Sequence, residues 1–401
     1  MAPYALPFAS LWASPFRPFC ALGVAYGVAL MGAWVAVAAG GAPGAAGGPA
    51  WHGHEMLFGF SAAIVIAIVL TALPGWAGTP EVRGAPLAGL TALWVVARLA
   101  YWWRDALPAW AATAAALAPW IALLALLAPQ LARVADRTWL LLLVVLGGLL
   151  GAEALCTSGH AVAGIATGVY ALVLLFALAA GVFTPVFTGN HLRATGRDGL
   201  PPRLRSLEAA ATGVIVLLAI VDLAGAPAPW RAAVAFAAFA IHAVRLLRWR
   251  GWQVLDTPLL WTLHAGCAWM TASFLLLALS DLGVAGAARA WLHAFTVGAL
   301  GSAMIGLTTR VALRHTGRPL VLSRAVVAAH LLVQVAAFAR VGGALAGGGN
   351  AWVAAAGVAW VAAFGIYVAL FVPILLRPSL PRVVAGPLDA DSGPGPPRGR
   401  R

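Results

Sequence analysis

An all-α, polytopic membrane bundle of about twelve transmembrane helices, with both termini cytoplasmic, is the fold this sequence predicts. Three observations carry the prediction. Of 401 residues, 62% are hydrophobic and only 9% are charged. A soluble domain carries about 25% charged residues, so a surface this poor in charge has to be covered by lipid. The apolar residues also fall into runs of about 20, the length that crosses a bilayer as a helix. Finally, the arginines concentrate on alternate ends of those runs.

The spans read as 18–39, 54–74, 85–104, 108–128, 138–156, 160–183, 206–224, 230–247, 258–280, 288–310, 322–342 and 351–376. The first run follows Phe16-Arg17-Pro18 and is long enough to span, so it reads as a helix and not as a cleavable signal. Clusters of Gly, Pro and Arg separate the later runs, at Gly40 to Gly48, Pro74 to Gly84, Pro185 to Pro202 and Gly347 to Asn350. Residues 1–376 thus form one transmembrane domain. The Pro/Gly/Arg-rich segment 377–401 reads as a disordered cytoplasmic tail.

With the N-terminus inside, Arg98, Arg104, Arg231, Arg289 and Arg340 fall on the outer side, and the rest of the 25 arginines fall on the cytoplasmic side. A missed helix would invert every later loop and blur this contrast. The same rule accounts for the net charge of +13 without a polyanion, and no basic recognition motif appears, so nucleic acid is not expected as a partner. The lipid bilayer is. Cys20, Cys156 and Cys267 are too scattered for a disulfide framework or a Cys-x-x-Cys pair. Ala294, Gly298, Ser302 and Gly306 recur every four residues, and Gly164 and Gly168 do the same. Such small-residue ridges let membrane helices approach closely.

The chemistry resides in residues that lipid does not readily accept. On this topology His52, His54, His160 and His293 lie in the outer half, at the depth of Glu55, Glu153 and Arg98. His264 lies well inside span nine, while His191, His242, His315 and His330 belong to the cytoplasmic half. Neutral imidazole is a common metal ligand, and a carboxylate can orient it or join it. The donor set favours Cu, Zn or haem iron over Mg or Ca. His52 and Glu55 would share a helix face, whereas His52 and His54 converge only if His52 precedes the helix. Trp261 and Trp269 flank His264 and would suit ordinary packing or a planar macrocycle. The same residues, read without metal, suit a proton-coupled secondary transporter.

Several segments carry a resemblance. They are Phe16-Arg17-Pro18-Phe19, Trp51-His52-Gly53-His54-Glu55-Met56-Leu57-Phe58-Gly59-Phe60, Leu70 to Gly78, Pro185-Val186-Phe187-Thr188-Gly189-Asn190, His242 to Leu246, Pro258 to His264, His293 to Ala299, and Thr309 to Arg318. Together, in order and over nearly the whole chain, they resemble the NnrS family. The resemblance implies a twelve-span bacterial inner-membrane protein that contains haem and copper and serves the response to nitric oxide and nitrosative stress. It places the family's histidines on His52, His54, His242, His264, His293 and His315. His54, His242, His264 and His293 are then the candidates for cofactor binding. His52, His54, His264, His293 and His315 are the candidates for metal, and Glu55, Arg98 and Glu153 would support them. The implied small molecule is nitric oxide or a relative; the resemblance names no electron donor. Gly75, Ala77, Cys267 and Arg314 depart from the family pattern without removing a histidine. A haem-copper reductase of nitric oxide is a further possibility with the same cofactors.

Overall fold

The computed structural model describes residues 7–41, 48–134 and 137–381, with side chains at 7, 8, 76, 77, 137 and 138 left aside. The elements formed by the described residues are all helices, without strands. After a short helix at Pro7–Leu11 come twelve long ones: α1 (Phe16–Ala38), α2 (Pro49–Gly75), α3 (Ala85–Trp102), α4 (Ala109–Leu131), α5 (Leu141–Thr157), α6 (Ala161–Ala194), α7 (Arg205–Leu223), α8 (Ala228–Arg248), α9 (Pro258–Asp281), α10 (Ala287–His315), α11 (Arg324–Leu345) and α12 (Asn350–Leu376). Eleven of these are long and apolar enough to cross a membrane, and α5, at 17 residues, is the shorter one. It still traverses the bundle. Its first residue lines a groove with Arg203, and Glu153 near its other end meets His54 of α2.

The pattern of burial separates an inner set from an outer one. Buried residues make up 83% of the best apolar window of α2 but only 17% in α7, so α2 is a core helix and α7 faces lipid. α6, α9 and α10 are also mostly buried. With lipid outside, close packing and hydrogen bonds hold such helices together more than the hydrophobic effect does. The small-residue ridges act this way. A Cβ on Gly298 would lie 2.5 Å from the Trp269 ring of α9, and one on Gly168 would lie 2.3 Å from Leu57 of α2. Ser302, on the same ridge, accepts a 2.8 Å bond from Gln334 of α11.

Both ends of the bundle are clamped. Arg17, at the start of α1, donates to the carbonyls of Leu375 at 2.6 Å and Arg377 at 2.7 Å, so the first helix begins and the last one ends on the same face. This requires an even number of crossings. At the opposite face Arg231 of α8 bonds Asp281 of α9 and Asp222 of α7, and Tyr170 of α6 donates to Asp222 at 2.7 Å.

Three local features differ from the expectation. α6 runs eleven residues past position 183: Pro185 is accommodated inside the helix, and the Pro185-to-Asn190 motif is helical. α2 begins at Pro49 and not at 54, because proline suits the first turn of a helix, and His52 is therefore helical. The first residues of the predicted tail are docked: Leu380 N–H donates to the Thr316 carbonyl at 3.0 Å, and Ser379 Oγ donates to the His315 carbonyl. Residues 382–401 lie outside the described residues.

Candidate functional site: a buried charged layer on two π-bulged helices

α2 and α10 share a departure from α-helical geometry. Each has a seven-residue π-helical stretch near its start, Glu55–Ser61 in α2 and Ala294–Leu300 in α10. Such bulges are rare and collect at functional sites. His54 immediately precedes the first and His293 the second. Both bulges carry a glycine against a tryptophan: Trp94 of α3 donates to the Gly59 carbonyl at 3.2 Å, and Gly298 lies against Trp269.

Around the first bulge lies a dense buried cluster. His54 is 1% exposed, Arg98 4%, and Glu55 and Glu153 are sealed from solvent. His54 Nδ1 lies 2.9 Å from Glu55 Oε1, which also accepts a 2.6 Å bond from Arg98 of α3. The Tyr26 hydroxyl of α1 donates to the other oxygen of Glu55 and accepts from Trp102 Nε1 at 2.7 Å. Glu153 is held differently. His54 Nε2 is 3.3 Å and Arg98 3.6 Å away, but neither contact has hydrogen-bond geometry, and both its carboxylate oxygens lack a hydrogen-bond partner among the described residues. The Tyr101 ring stacks on His54 with centroids 3.5 Å apart. One guanidinium therefore faces two buried carboxylates, with the imidazole between them.

A second pair lies beside this cluster. His52 stacks on Trp34 of α1, with centroids 4.5 Å apart, and its Nδ1 is buried without a partner among the described residues. It lies within electrostatic reach of His293, and both lie within reach of Arg340 of α11. His293 Nδ1 bonds the Arg289 carbonyl at 2.8 Å. That bond places the proton on Nδ1 and leaves Nε2 free to accept.

The remaining candidates are distributed elsewhere. His264 accepts from or donates to Thr188 of α6 through Nε2 at 2.9 Å, and its Nδ1 is buried against Gly251. His242 Nε2 bonds the Ala211 carbonyl at 3.3 Å. His315 ends α10 beside the Phe16 ring. His315 is 22 residues from His293 along α10, about 33 Å of helix, so one ion cannot take both. Trp261 meets His330, not His264, and Trp269 donates to Gln334; neither frames a macrocycle at His264. His52 and His54 diverge, as residues two apart on a helix must, and Glu55 pairs with His54, not His52. Among the described residues no three His, Cys, Asp or Glu side chains are grouped to hold a metal ion.

Sequence reasoning missed Tyr26, Tyr101, Trp102 and Trp34, which look like ordinary interfacial aromatics until the fold brings them to the histidines. It also passed over the partly buried Arg245–Glu208 pair, bonded at 2.6 Å. Cavities lie between the helices. A central one of about 100 Å³ lies among α2, α5, α6, α9 and α10, walled by residues such as Ile68, Phe176 and Met304, with Thr184 and Cys267 on its rim. A lateral groove of about 840 Å³ lies among α5, α6 and α7.

Fold and site together define a polytopic helical membrane protein that buries a carboxylate–imidazole–guanidinium layer near one end of its core helices. The sequence profile of the family described as NnrS protein matches residues 10–379, nearly the whole chain, and the chain belongs to that family. Among curated proteins none matches it.

Proposed function

We propose that this protein binds copper through His52 and His293 and acts in the response to nitric oxide, in the bacterial inner membrane that the family implies. One observation carries the reading. Two imidazoles from different core helices lie within electrostatic reach of each other; His52 is stacked on Trp34 with its Nδ1 unpartnered among the described residues, and the bond from His293 Nδ1 to the Arg289 carbonyl leaves its Nε2 as the acceptor nitrogen. A backbone bond at one imidazole nitrogen is the usual way to orient the other toward a metal. Imidazole donors without a carboxylate suit copper, zinc, iron or nickel over magnesium or calcium. Arg340 nearby disfavours a highly charged cation, which leaves monovalent copper as the best fit. Copper(I) supplies a centre to which a diatomic molecule can bind. Nitric oxide, small and uncharged, can arrive through the apolar helices.

The His54–Glu55–Arg98–Glu153 cluster is a poor copper site, because Arg98 already occupies the place of the cation. Its part is to hold α1, α2, α3 and α5 in register behind His52. Haem fits less well. No histidine lines the central cavity or the lateral groove, and about 100 Å³ is well below the roughly 300–1,000 Å³ of a ligand pocket. No step is assigned to haem, and a Soret band in the purified protein would require the bundle to open beside one of its imidazoles.

The rival reading is proton-coupled transport, favoured by the excess of carboxylate over guanidinium in the cluster. Metal analysis separates the two. The purified full-length protein loaded with Cu(I) should retain about one copper, with affinity lowered more than about 100-fold in His52→Ala and in His293→Ala, beyond the range for supporting residues. It should be unchanged in His191→Ala. Equal copper in all four proteins would overturn the assignment.

A further inference from the structure

We propose that an anionic phospholipid binds in the groove among α5, α6 and α7, with its phosphate on Arg245. The groove lies beside the short α5, which begins at Leu141 after a single turn of 3-10 helix and, among the described residues, leaves the facing parts of α6 and α7 open. Its lining combines the apolar Leu141, Leu178 and Val182 with Arg203, Arg205, Arg245 and Glu208. Three guanidinium groups against one carboxylate leave the charged part of the lining positive.

Arg245 makes this a built site. It is 3% exposed, its ring-side neighbour is Trp249 at 4.7 Å, and its Nε and Nη2 are used by Glu208 and by the Ala177 carbonyl. Its Nη1 has no hydrogen-bond partner among the described residues, and Arg245 lines the groove. A buried guanidinium N–H without an acceptor is costly, and an anion in the groove beside Arg245 would offset this incompletely paired charge. Gly181 reserves the space, since a Cβ there would lie 1.9 Å from Arg245 Nη2. A free phosphate would answer the arginines but leave the apolar wall unused. A phosphodiester headgroup with an acyl chain answers both, and basic pockets between membrane helices take such headgroups. The groove's volume of about 840 Å³ accommodates a headgroup and the start of its chain.

The test uses the full-length protein in phosphatidylcholine vesicles with spin-labelled phosphatidylglycerol or spin-labelled phosphatidylcholine as probe. Phosphatidylglycerol should be immobilised in preference. Arg203→Gln and Arg205→Gln, both at exposed positions, should each weaken the preference, by up to about fivefold. Ala209→Trp, which fills the groove without altering charge, should abolish it while the thermal transition stays in place. Three results would overturn the proposal: equal immobilisation of the two lipids, a preference that survives Ala209→Trp, or complete displacement by inorganic phosphate alone.

Discussion

Replacing Arg98 by Met tests the charged cluster at its centre. Methionine keeps an unbranched chain in the slot between α2 and α3 but removes the only guanidinium from the cluster. Glu55 loses a 2.6 Å bond, and Glu153 loses a contact at 3.6 Å. Both carboxylates are sealed from solvent, so water cannot replace the lost partner. Breaking a buried ion pair by removing one member costs about 3–5 kcal/mol, because the other charge stays behind uncompensated. Glu153→Gln should behave very differently. Its two oxygens already lack hydrogen bonds among the described residues, and neutralising it brings the cluster closer to balance, so the change should stay within about 1 kcal/mol. Glu55→Gln combined with Arg98→Met removes both members of the closest pair and should recover much of the single-mutant loss. The assay is equilibrium unfolding of the detergent-solubilised protein, followed by helical signal and by aggregation onset. An Arg98→Met protein as stable as the parent, or a Glu153→Gln protein as damaged as Arg98→Met, would refute the charge accounting.

Close approaches and one loop pair give three further expectations. Gly59→Ala places a Cβ 2.5 Å from the Tyr26 ring; it should push the hydroxyl off Glu55 and lower stability by about 1–3 kcal/mol, measured by the same unfolding assay. Gly181→Ala should displace Arg245 from the Ala177 carbonyl and from Glu208, with a loss of similar size and, if Arg245 holds a lipid phosphate, a loss of the phosphatidylglycerol preference as well. In the exposed segment before α9, Arg197 bonds Asp256 at 3.0 Å and holds its carboxyl below the usual carboxylate range. A depressed folded-state value stabilises the segment above the unfolded value of about 3.9, and that contribution is lost as pH falls through the folded value. Protection of residues 251–257 against hydrogen exchange, taken relative to the intrinsic rate at each pH, should therefore fall below about pH 4 in the parent protein, and in Asp256→Asn it should be low at every pH.

The architecture was largely legible in the sequence because membrane spans are written in composition and length, and the order of arginines fixed their alternation. The meeting of Arg17 with the end of α12 agrees with that parity. The polar layer was legible in part: depth alone placed His52, His54, His160, His293, Glu55, Arg98 and Glu153 together, and the fold joins His54, Glu55, Arg98 and Glu153, whereas His160 is exposed beside Ser158. What depth cannot give is azimuth. The sequence pairs His52 with Glu55 on an ideal helix, whereas the π-helical turn after His54 rotates the chain beyond it and joins Glu55 to His54 instead. Nor does a sequence separate an interfacial tryptophan from Trp102, whose N–H supports Tyr26. Pro185 misled the reading of α6 for a related reason. Proline marks a break in soluble helices, but inside a packed bundle neighbouring groups support the helix through it.

The most direct test of the account is the X-ray absorption spectrum of the full-length protein loaded with one equivalent of Cu(I), compared with His52→Ala and His293→Ala. Copper should be bound by two imidazole nitrogens in the parent and lose that signature in each variant, with His54→Gln retaining it. A copper environment of sulfur or carboxylate ligands, or one that survives both substitutions, would contradict the assignment of His52 and His293 as the metal site.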